Sequence, residues 1–171
     1  DKIGLVPQKG VLFTGTIESN IKFGNMSIDD EQMKKAARIA QAEEFINAKT
    51  EGYNSEISEG GTNVSGGQKQ RLSIARAIAK DPLIYIFDDS FSALDYRTDA
   101  ALRKAIASEL AGRTVIIVAQ RISTIKNADQ ILVLDEGRIV GKGTHSQLLK
   151  NCEVYQQIAS SQLSKEELYN E

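Results

Sequence analysis

The segment Val64-Ser65-Gly66-Gly67-Gln68 combines residue types that bind anions at the start of a helix. Serine is a preferred N-cap, and apolar residues at helical spacing continue from Ser65 to about Lys80. The two glycines leave first-turn N–H groups accessible at the positive end of the helix dipole, because no Cβ blocks a ligand. The pattern predicts phosphate binding by Ser65, Gly66, Gly67 and Gln68, with an ordinary glycine-rich helix start as the alternative.

Two adjacent carboxylates, Asp88 and Asp89, follow the apolar run Leu83–Phe87. A continuous apolar run of this length predicts a strand that is covered on both faces in a parallel sheet. Parallel α/β proteins bind ligands at the carboxyl ends of such strands, where a carboxylate can hold Mg²⁺ through water. The pattern favours Asp88 as a magnesium ligand over the alternative that both acids only cap the next helix.

The elements that must position these residues alternate between strands and helices, which predicts an α/β fold with a parallel sheet. The runs Leu83–Phe87 and Thr114–Ala119 are expected to be parallel neighbours, because a helix connects them. The other predicted elements are a strand at Ile3–Val6, a helix capped by Ser27, a loop from Glu51 to Gly61, a helix from Thr98 to Leu110, a hairpin of Gln130–Leu134 and Arg138–Val140, a last helix capped by Thr144 or Ser146, and a frayed tail from Ser164.

The composition is that of one globular domain: 171 residues, 41% apolar and 26% charged, with a net charge of −2. That charge argues against a nucleic-acid partner, which requires a basic surface. No apolar run reaches the length of a membrane span, and a single cysteine, Cys152, is typical of a reducing compartment. The chain opens in what reads as the middle of a strand, so we expect it to be a piece of something larger.

Several segments, in the order in which they occur, resemble the motifs of ABC-type ATPases, and the resemblance covers essentially the whole chain. Ser65–Gln68, continued by Gln70–Ala77, resembles the signature motif. The remaining matches are Gln8 to the Q-loop glutamine, Ile84–Asp88 to the Walker B strand, Ser92–Asp95 to the D-loop, and Gln120 to the position of the switch histidine.

Two further segments resemble the exporter branch of this family. One is Leu12–Ile21, and the other is Ser58–Gly61, which precedes the signature. The resemblance implies that Glu59 and the Q-loop region contact a transmembrane domain, so that the chain lies at the cytoplasmic face of a membrane. It also implies that a second nucleotide-binding domain pairs head to tail with this one.

The implied fold is a partial P-loop NTPase (RecA-like) parallel-sheet core with an ABC-type helical subdomain. The expected divisions are a core segment with the Q-loop at 1–19, the helical subdomain at 20–80, an α/β core with the Walker B, D-loop and switch regions at 81–145, and a C-terminal helix and tail at 146–171. No Gly-x-x-x-x-Gly-Lys-Ser/Thr loop occurs in the sequence. We therefore expect a C-terminal part of a nucleotide-binding domain that is inactive by itself.

The resemblance also implies roles for individual residues toward ATP and Mg²⁺. In the chain's own site, Gln8 and Asp88 would hold the metal, Gln8 would also contact the nucleotide, and Asp89 and Gln120 would be catalytic. The signature residues would bind the nucleotide held by the partner, and Asp95 is a further nucleotide-binding candidate.

Two departures from the family pattern concern the chemistry. Asp89 stands where the general base is usually glutamate, and Gln120 stands where histidine is usual. The shorter carboxylate is drawn back from the water that it should orient, and a glutamine amide carries no proton. The pair resembles the degenerate subunit of heterodimeric ABC exporters.

Alternative functions are a non-hydrolytic module that dimerises on ATP, which the Asp89/Gln120 pair favours, and a soluble ABC ATPase of chromosome maintenance or translation. The chromosome type has a long coiled coil between Q-loop and signature, whereas Gln8 and Ser65 are separated by a short segment. His145 is interpreted as a helix-start residue and Cys152 as a packing residue.

Overall fold

The structure, a computed structural model, describes residues 2–164. The chain divides into two compact units at Val118 and Ala119. The first unit contains β1 (Ile3–Val6), β2 (Gly15–Thr16), α1 (Ile17–Ile21), α2 (Asp30–Ile39), α3 (Glu43–Asn47), β3 (Glu56–Ile57), α4 (Gly66–Ala79), β4 (Ile84–Asp88), α5 (Tyr96–Glu109) and β5 (Thr114–Val118). The second contains α6 (Ile122–Ile125), β6 (Ile131–Asp135), β7 (Arg138–Gly143), α7 (His145–Asn151) and α8 (Glu153–Gln162).

The centre of the first unit is a parallel sheet in the order β1-β4-β5. β4 pairs with β5 from Ile84 opposite Thr114 to Asp88 opposite Val118. The two apolar runs are therefore parallel neighbours, as their sequences predict. β1 pairs with the other side of β4, so the carboxyl ends of all three strands meet at one edge of the sheet.

One face of this sheet packs against helices and carries the core. Val6, Tyr85 and Phe87 point to that face and are at most 1% exposed. On the other face Leu5 is 60% and Ile116 is 47% exposed. The expectation that both faces are covered is therefore wrong for the residues that the structure describes, because their helices pack on one side.

The helix starts show where local sequence is informative. Ser65 caps α4 as predicted: its side chain accepts from the N–H of Gln68, and Gln68 returns a bond to the backbone of Ser65. The cap of α2 is Asp29 rather than Ser27, and its side chain accepts from the N–H of Gln32. Ser27 instead donates to the side chain of Asn25, which keeps it two residues outside the helix.

α5 begins at Tyr96, two residues before the predicted start, because Asp95 acts as its N-cap. The predicted loop from Glu51 to Gly61 contains two short 3-10 helices, Gly52–Asn54 and Glu59–Gly61, and between them Glu56–Ile57 forms β3 and pairs antiparallel with β2. β3 lies shortly before the signature segment in the chain.

The second unit is a hairpin followed by helices. β6 and β7 pair antiparallel as predicted, and Glu136 and Gly137 form the turn with φ of 45° and 76°. Thr144 caps α7, so the first of the two predicted caps is correct, but the predicted last helix is two helices, because the backbone is extended at Cys152 between α7 and α8. The predicted frayed tail begins at Ser164, and its residues 165–171 lie outside the described residues. No helix in residues 2–164 has the length and apolar character needed to cross a membrane.

Candidate functional site

The carboxyl edge of the parallel sheet brings Gln8 and Asp89 together. Gln8 follows β1 and Asp89 follows β4, and these strands are neighbours. The Nε2 of Gln8 donates a hydrogen bond of 3.2 Å to Oδ2 of Asp89. Asp88, the last residue of β4, is exposed at the same edge. The structure therefore places three of the predicted site residues at the sheet edge where parallel α/β folds bind ligands.

The backbone of Asp89 is in the left-handed region, with φ of 42°. Its N–H donates to the carbonyl of Val118 at 2.8 Å, and its carbonyl accepts from Oγ of Ser92 at 2.9 Å. Aspartate tolerates this conformation better than most residues that carry a Cβ. Bonds on both sides thus fix the main chain that directs the carboxylate.

Ser90 ties this turn to β1. Its side chain is fully buried, and its Oγ donates to the carbonyl of Val6 at 2.9 Å. Sequence reasoning did not identify Ser90, since the only signal is a small polar residue after two acids. Its contact keeps the end of β1, and therefore Gln8, beside the turn that carries Asp89.

The start of α4 presents two glycines that this chain does not require for its own packing. A Cβ added at Gly66 would meet no atom within 4 Å, and one added at Gly67 would lie 3.5 Å from the carbonyl oxygen of Ala93, an ordinary contact. Neither glycine has a left-handed φ. In the capping box the N–H of Gln68 donates to Oγ of Ser65 and the N–H of Ser65 donates to Oε1 of Gln68, which leaves the N–H groups of Gly66 and Gly67 as the first-turn donors for a ligand.

The segment that ends at Asp95 lies against this helix start, since Ala93 faces Gly67. Oδ1 of Asp95 accepts from the N–H of Thr98 at 2.9 Å and Oδ2 from its hydroxyl at 2.7 Å. These bonds to Thr98 lower the pKa of Asp95 below its ordinary value. Asp95 is therefore an ionised helix cap held beside the signature.

Arg71 holds the first turn of α4 through a bond to the backbone of Gly67. The sequence did not identify Arg71 as a site residue. Its Nε donates to the carbonyl of Gly67 at 3.4 Å and its Nη1 to the carbonyl of Gln41 at 2.6 Å. The guanidinium also lies over the ring of Phe45, 4.7 Å from the centroid. Burial lowers the pKa of Arg71, while Asp95 raises it.

Gln120 belongs to the second unit and follows the end of β5 by two residues. It is exposed, and its backbone carbonyl accepts from Nε2 of Gln162 at 2.8 Å. Glu59 is likewise exposed, in a single 3-10 turn before the signature, where Gly60 has φ of 63°. The roles expected for both residues stay predictions.

The side-chain oxygen atoms at the sheet edge suit a magnesium ion that takes most of its ligands from water and phosphate. Asp88 offers an exposed carboxylate, and the bond from Nε2 of Gln8 to Asp89 leaves the amide oxygen of Gln8 as an acceptor. Among residues 2–164, no three His, Cys, Asp or Glu side chains form a metal-binding group. Mg²⁺ commonly takes one or two protein oxygens and completes its shell with water and phosphate.

The comparison with protein families identifies the class. The model described as "ABC transporter" matches residues 1–92. That span is more than half of the chain, and the chain belongs to this family.

Individual relatives narrow the class to exporter-type ATP-binding domains. The chain is 45% identical to an uncharacterized ABC transporter ATP-binding protein of Mycobacterium tuberculosis, covering 94% of this chain and 28% of that protein. It is 44% identical to the human mitochondrial potassium channel ATP-binding subunit, covering 94% of this chain and 22% of that protein. The solved structure of a bacterial Atm1-family ABC exporter with ATP bound matches with a TM-score of 0.91 and 39% identity, over 96% of this chain and 29% of that one. The chain thus spans less than a third of these relatives.

Proposed function

We propose that this chain is part of the motor domain of an ABC exporter, which binds and hydrolyses ATP to move a substrate across a membrane. The likeness to exporter ATP-binding domains supports this function, as do the sheet-edge carboxylates and the signature helix. In this proposal the domain lies at the cytoplasmic face of the membrane, and Glu59 and the Q-loop region contact the transmembrane part.

The observation that carries the proposal is the space in front of Gly66. Glycine at the first position of a helix is less stabilising than residues with side chains that can pack or cap. Because a Cβ at Gly66 would meet nothing within 4 Å, packing within the chain does not explain it. A ligand that approaches the N–H groups of this turn does explain it, and a phosphate is the ligand that a helix N-terminus favours.

In this proposal, as the family resemblance implies, the signature of this chain serves a nucleotide held by a second nucleotide-binding domain. In a head-to-tail pair, Gly66 and Gly67 would donate backbone N–H bonds to that nucleotide's phosphate. Asp95 lies beside these two glycines and would help to keep the two domains aligned. The partner would be a different chain, because the own site of this chain lacks two groups that hydrolysis uses.

In this proposal the chain's own site comprises Gln8, Asp88 and Asp89, and the family resemblance assigns Gln120 to it. Asp88 and the amide oxygen of Gln8 would hold Mg²⁺, which neutralises charge on the β- and γ-phosphates when it is bound. Asp89 is aligned by Gln8 and would orient the attacking water from a short side chain. Gln120 would donate one neutral hydrogen bond to a phosphate oxygen, without the positive charge of a protonated histidine. Slow hydrolysis at this site follows.

The second candidate function is a regulatory module that binds ATP, dimerises and does not hydrolyse it. The Asp89/Gln120 pair favours this candidate, and the intact signature favours the motor. ATP hydrolysis by the complete protein, measured with and without its partner, separates them. Turnover that requires both chains supports the motor, and dimerisation on ATP without turnover supports the regulatory module.

The isolated 171-residue polypeptide is proposed to lack useful ATP affinity. No residue in it supplies the glycine-rich cradle and lysine that contact the β- and γ-phosphates in this class. Calorimetric titration with Mg-ATP is expected to give no micromolar binding, and binding of that strength would contradict the proposal.

A further inference from the structure

Gln70 connects the signature helix to the residue just before Gln8. It lies one turn after Gly66 on α4, and only 1% of its surface is exposed. Its Nε2 donates a hydrogen bond of 3.1 Å to the carbonyl oxygen of Pro7. Since that carbonyl belongs to the peptide unit that leads into Gln8, the bond joins the signature helix to the backbone of Gln8.

Gly10 packs against the same turn of α4 from the other side of Gln8. A Cβ at this position would lie 2.9 Å from the carbonyl carbon and oxygen of Lys69 and 3.0 Å from the nitrogen of Gln70. Those are backbone atoms near the start of α4, so the chain has no room for a side chain here. We call Gln70, Gly10 and the backbone of Lys69 the α4 clamp.

The opposite anchor of this segment is the core of the first unit. The carbonyl of Val6 accepts from the buried hydroxyl of Ser90, directly after Asp89. Between this anchor and the α4 clamp, Gln8 and Lys9 are exposed. Gln8 is therefore held on one side by the turn that carries Asp89 and on the other by the signature helix.

We propose that Gln70 is a positioning residue for Gln8; the inference rests on the proposed function. Its bond to the carbonyl of Pro7 fixes the peptide unit that leads into Gln8. The contact of Gly10 with Lys69 and Gln70 fixes the chain two residues after Gln8. Gln70 thereby sets where the side-chain amide of Gln8 lies relative to Asp89.

The test compares two glutamine-to-methionine variants of the complete transporter. Gln70→Met keeps the side-chain length and removes the bond to Pro7. Gln32→Met is the matched control, because Nε2 of Gln32 donates a bond of 2.8 Å to the carbonyl of Ala79 at the far end of α4. Gln70→Met is expected to lower steady-state ATP hydrolysis about 5-fold, and Gln32→Met to leave it within about 1.5-fold of wild type.

A double-mutant cycle with Gln8→Ala distinguishes positioning from a general structural role. If Gln70 acts through the Gln8 segment, adding Gln70→Met to Gln8→Ala causes less than about a 1.5-fold further loss. Multiplicative losses in the double variant would overturn the inference. Gln70→Asn, which keeps the amide but shortens the side chain by one methylene and so withdraws the donor from Pro7, is expected to repeat the pattern if Gln70→Met does not fold. Absence of hydrolysis in the wild-type transporter would overturn the proposed function and this inference with it.

Discussion

The side-chain amide of Gln8 donates to the carboxylate of Asp89 across 81 positions of sequence, with 3.2 Å between Nε2 and Oδ2. The contact exists because β1 and β4 are parallel neighbours and both end at the same edge of the sheet. It joins the proposed metal-binding glutamine to the proposed general base. In the proposed function, Gln8 aligns the carboxylate of Asp89, and this carboxylate orients the attacking water.

The backbone conformation of Asp89 gives a prediction about stability. Asp89→Val places a β-branched residue at φ of 42° and is expected to destabilise the fold by about 1–3 kcal/mol. Asp89→Gly removes the same carboxylate but tolerates this φ, so it should cost less than about 1 kcal/mol. Urea unfolding of the two variants checks the difference. Equal losses would contradict a backbone origin.

Gly66→Val should separate stability from activity. A side chain here points into open space, so the thermal midpoint should not fall, while hydrolysis at the partner's site should drop at least about 10-fold. Ala107→Val, at an exposed position of α5, is the control and should leave hydrolysis unchanged. A variant that lost its fold, or kept full hydrolysis, would contradict the assignment of Gly66 to a phosphate.

Arg76 is predicted to be a large contributor to the stability of the first unit. Its guanidinium donates to the carbonyls of Asn20 and Val11 and to Oδ1 of Asn20, at 2.7–2.9 Å, and it lies 5.2 Å from the ring centroid of Phe13. Burial lowers its pKa to about 10.

Arg76→Met would remove the guanidinium bonds to all three oxygens, of which Oδ1 of Asn20 would keep its bond from the N–H of Phe13, at a cost of about 2–4 kcal/mol in the free energy of unfolding. Arg97→Met, at an exposed arginine of α5, should change it by less than about 0.5 kcal/mol. Denaturant titrations of both variants test this, and similar effects would show that the contacts of Arg76 contribute little.

The lowered pKa of His145 predicts that the stability of the second unit depends on pH. Burial, and then the positive charge of Lys126, lower the pKa of His145 below 6.5, and its Nδ1 lies 2.7 Å from the hydroxyl of Tyr155. As the pH falls, His145 is therefore protonated in the unfolded chain before it is protonated in the folded one. The stability that neutral His145 contributes above pH 6.5 is lost as the pH falls through the pKa of the folded state.

His145→Gln should reduce the loss of stability at low pH, because His145 is the one histidine in the sequence. Urea midpoints at about pH 7.5 and about pH 5 for the wild type and the variant check the expectation. An identical acid dependence in both proteins would assign the effect to carboxylates instead.

The parts of the site that depend on neighbouring residues were predictable from sequence. Ser65 caps α4 because serine, glycine and glutamine at this spacing satisfy the first turn locally. The choice of Ser27 as a cap was wrong for a similar local reason: Asp29 offers a competing acceptor two residues later, and Asn25 engages Ser27.

The contacts that hold the site together join distant residues and carry no local pattern. Gln70 to Pro7 and Ser90 to Val6 are polar contacts between elements that only the fold brings together. The continuous apolar runs predict the strands and their parallel order, but they do not predict which sheet face is exposed. That depends on which side the helices pack.

In the proposed function, this chain carries an impaired site of its own and a competent signature for the other site. Single-turnover ATP hydrolysis by the complete transporter, with each site disabled in turn, tests it most directly. We predict slow hydrolysis at the site built on Asp88, faster hydrolysis at the site closed by Gly66, and a gain at the slow site from Asp89→Glu with Gln120→His when the facing signature is intact. Equal rates at the two wild-type sites would contradict the account.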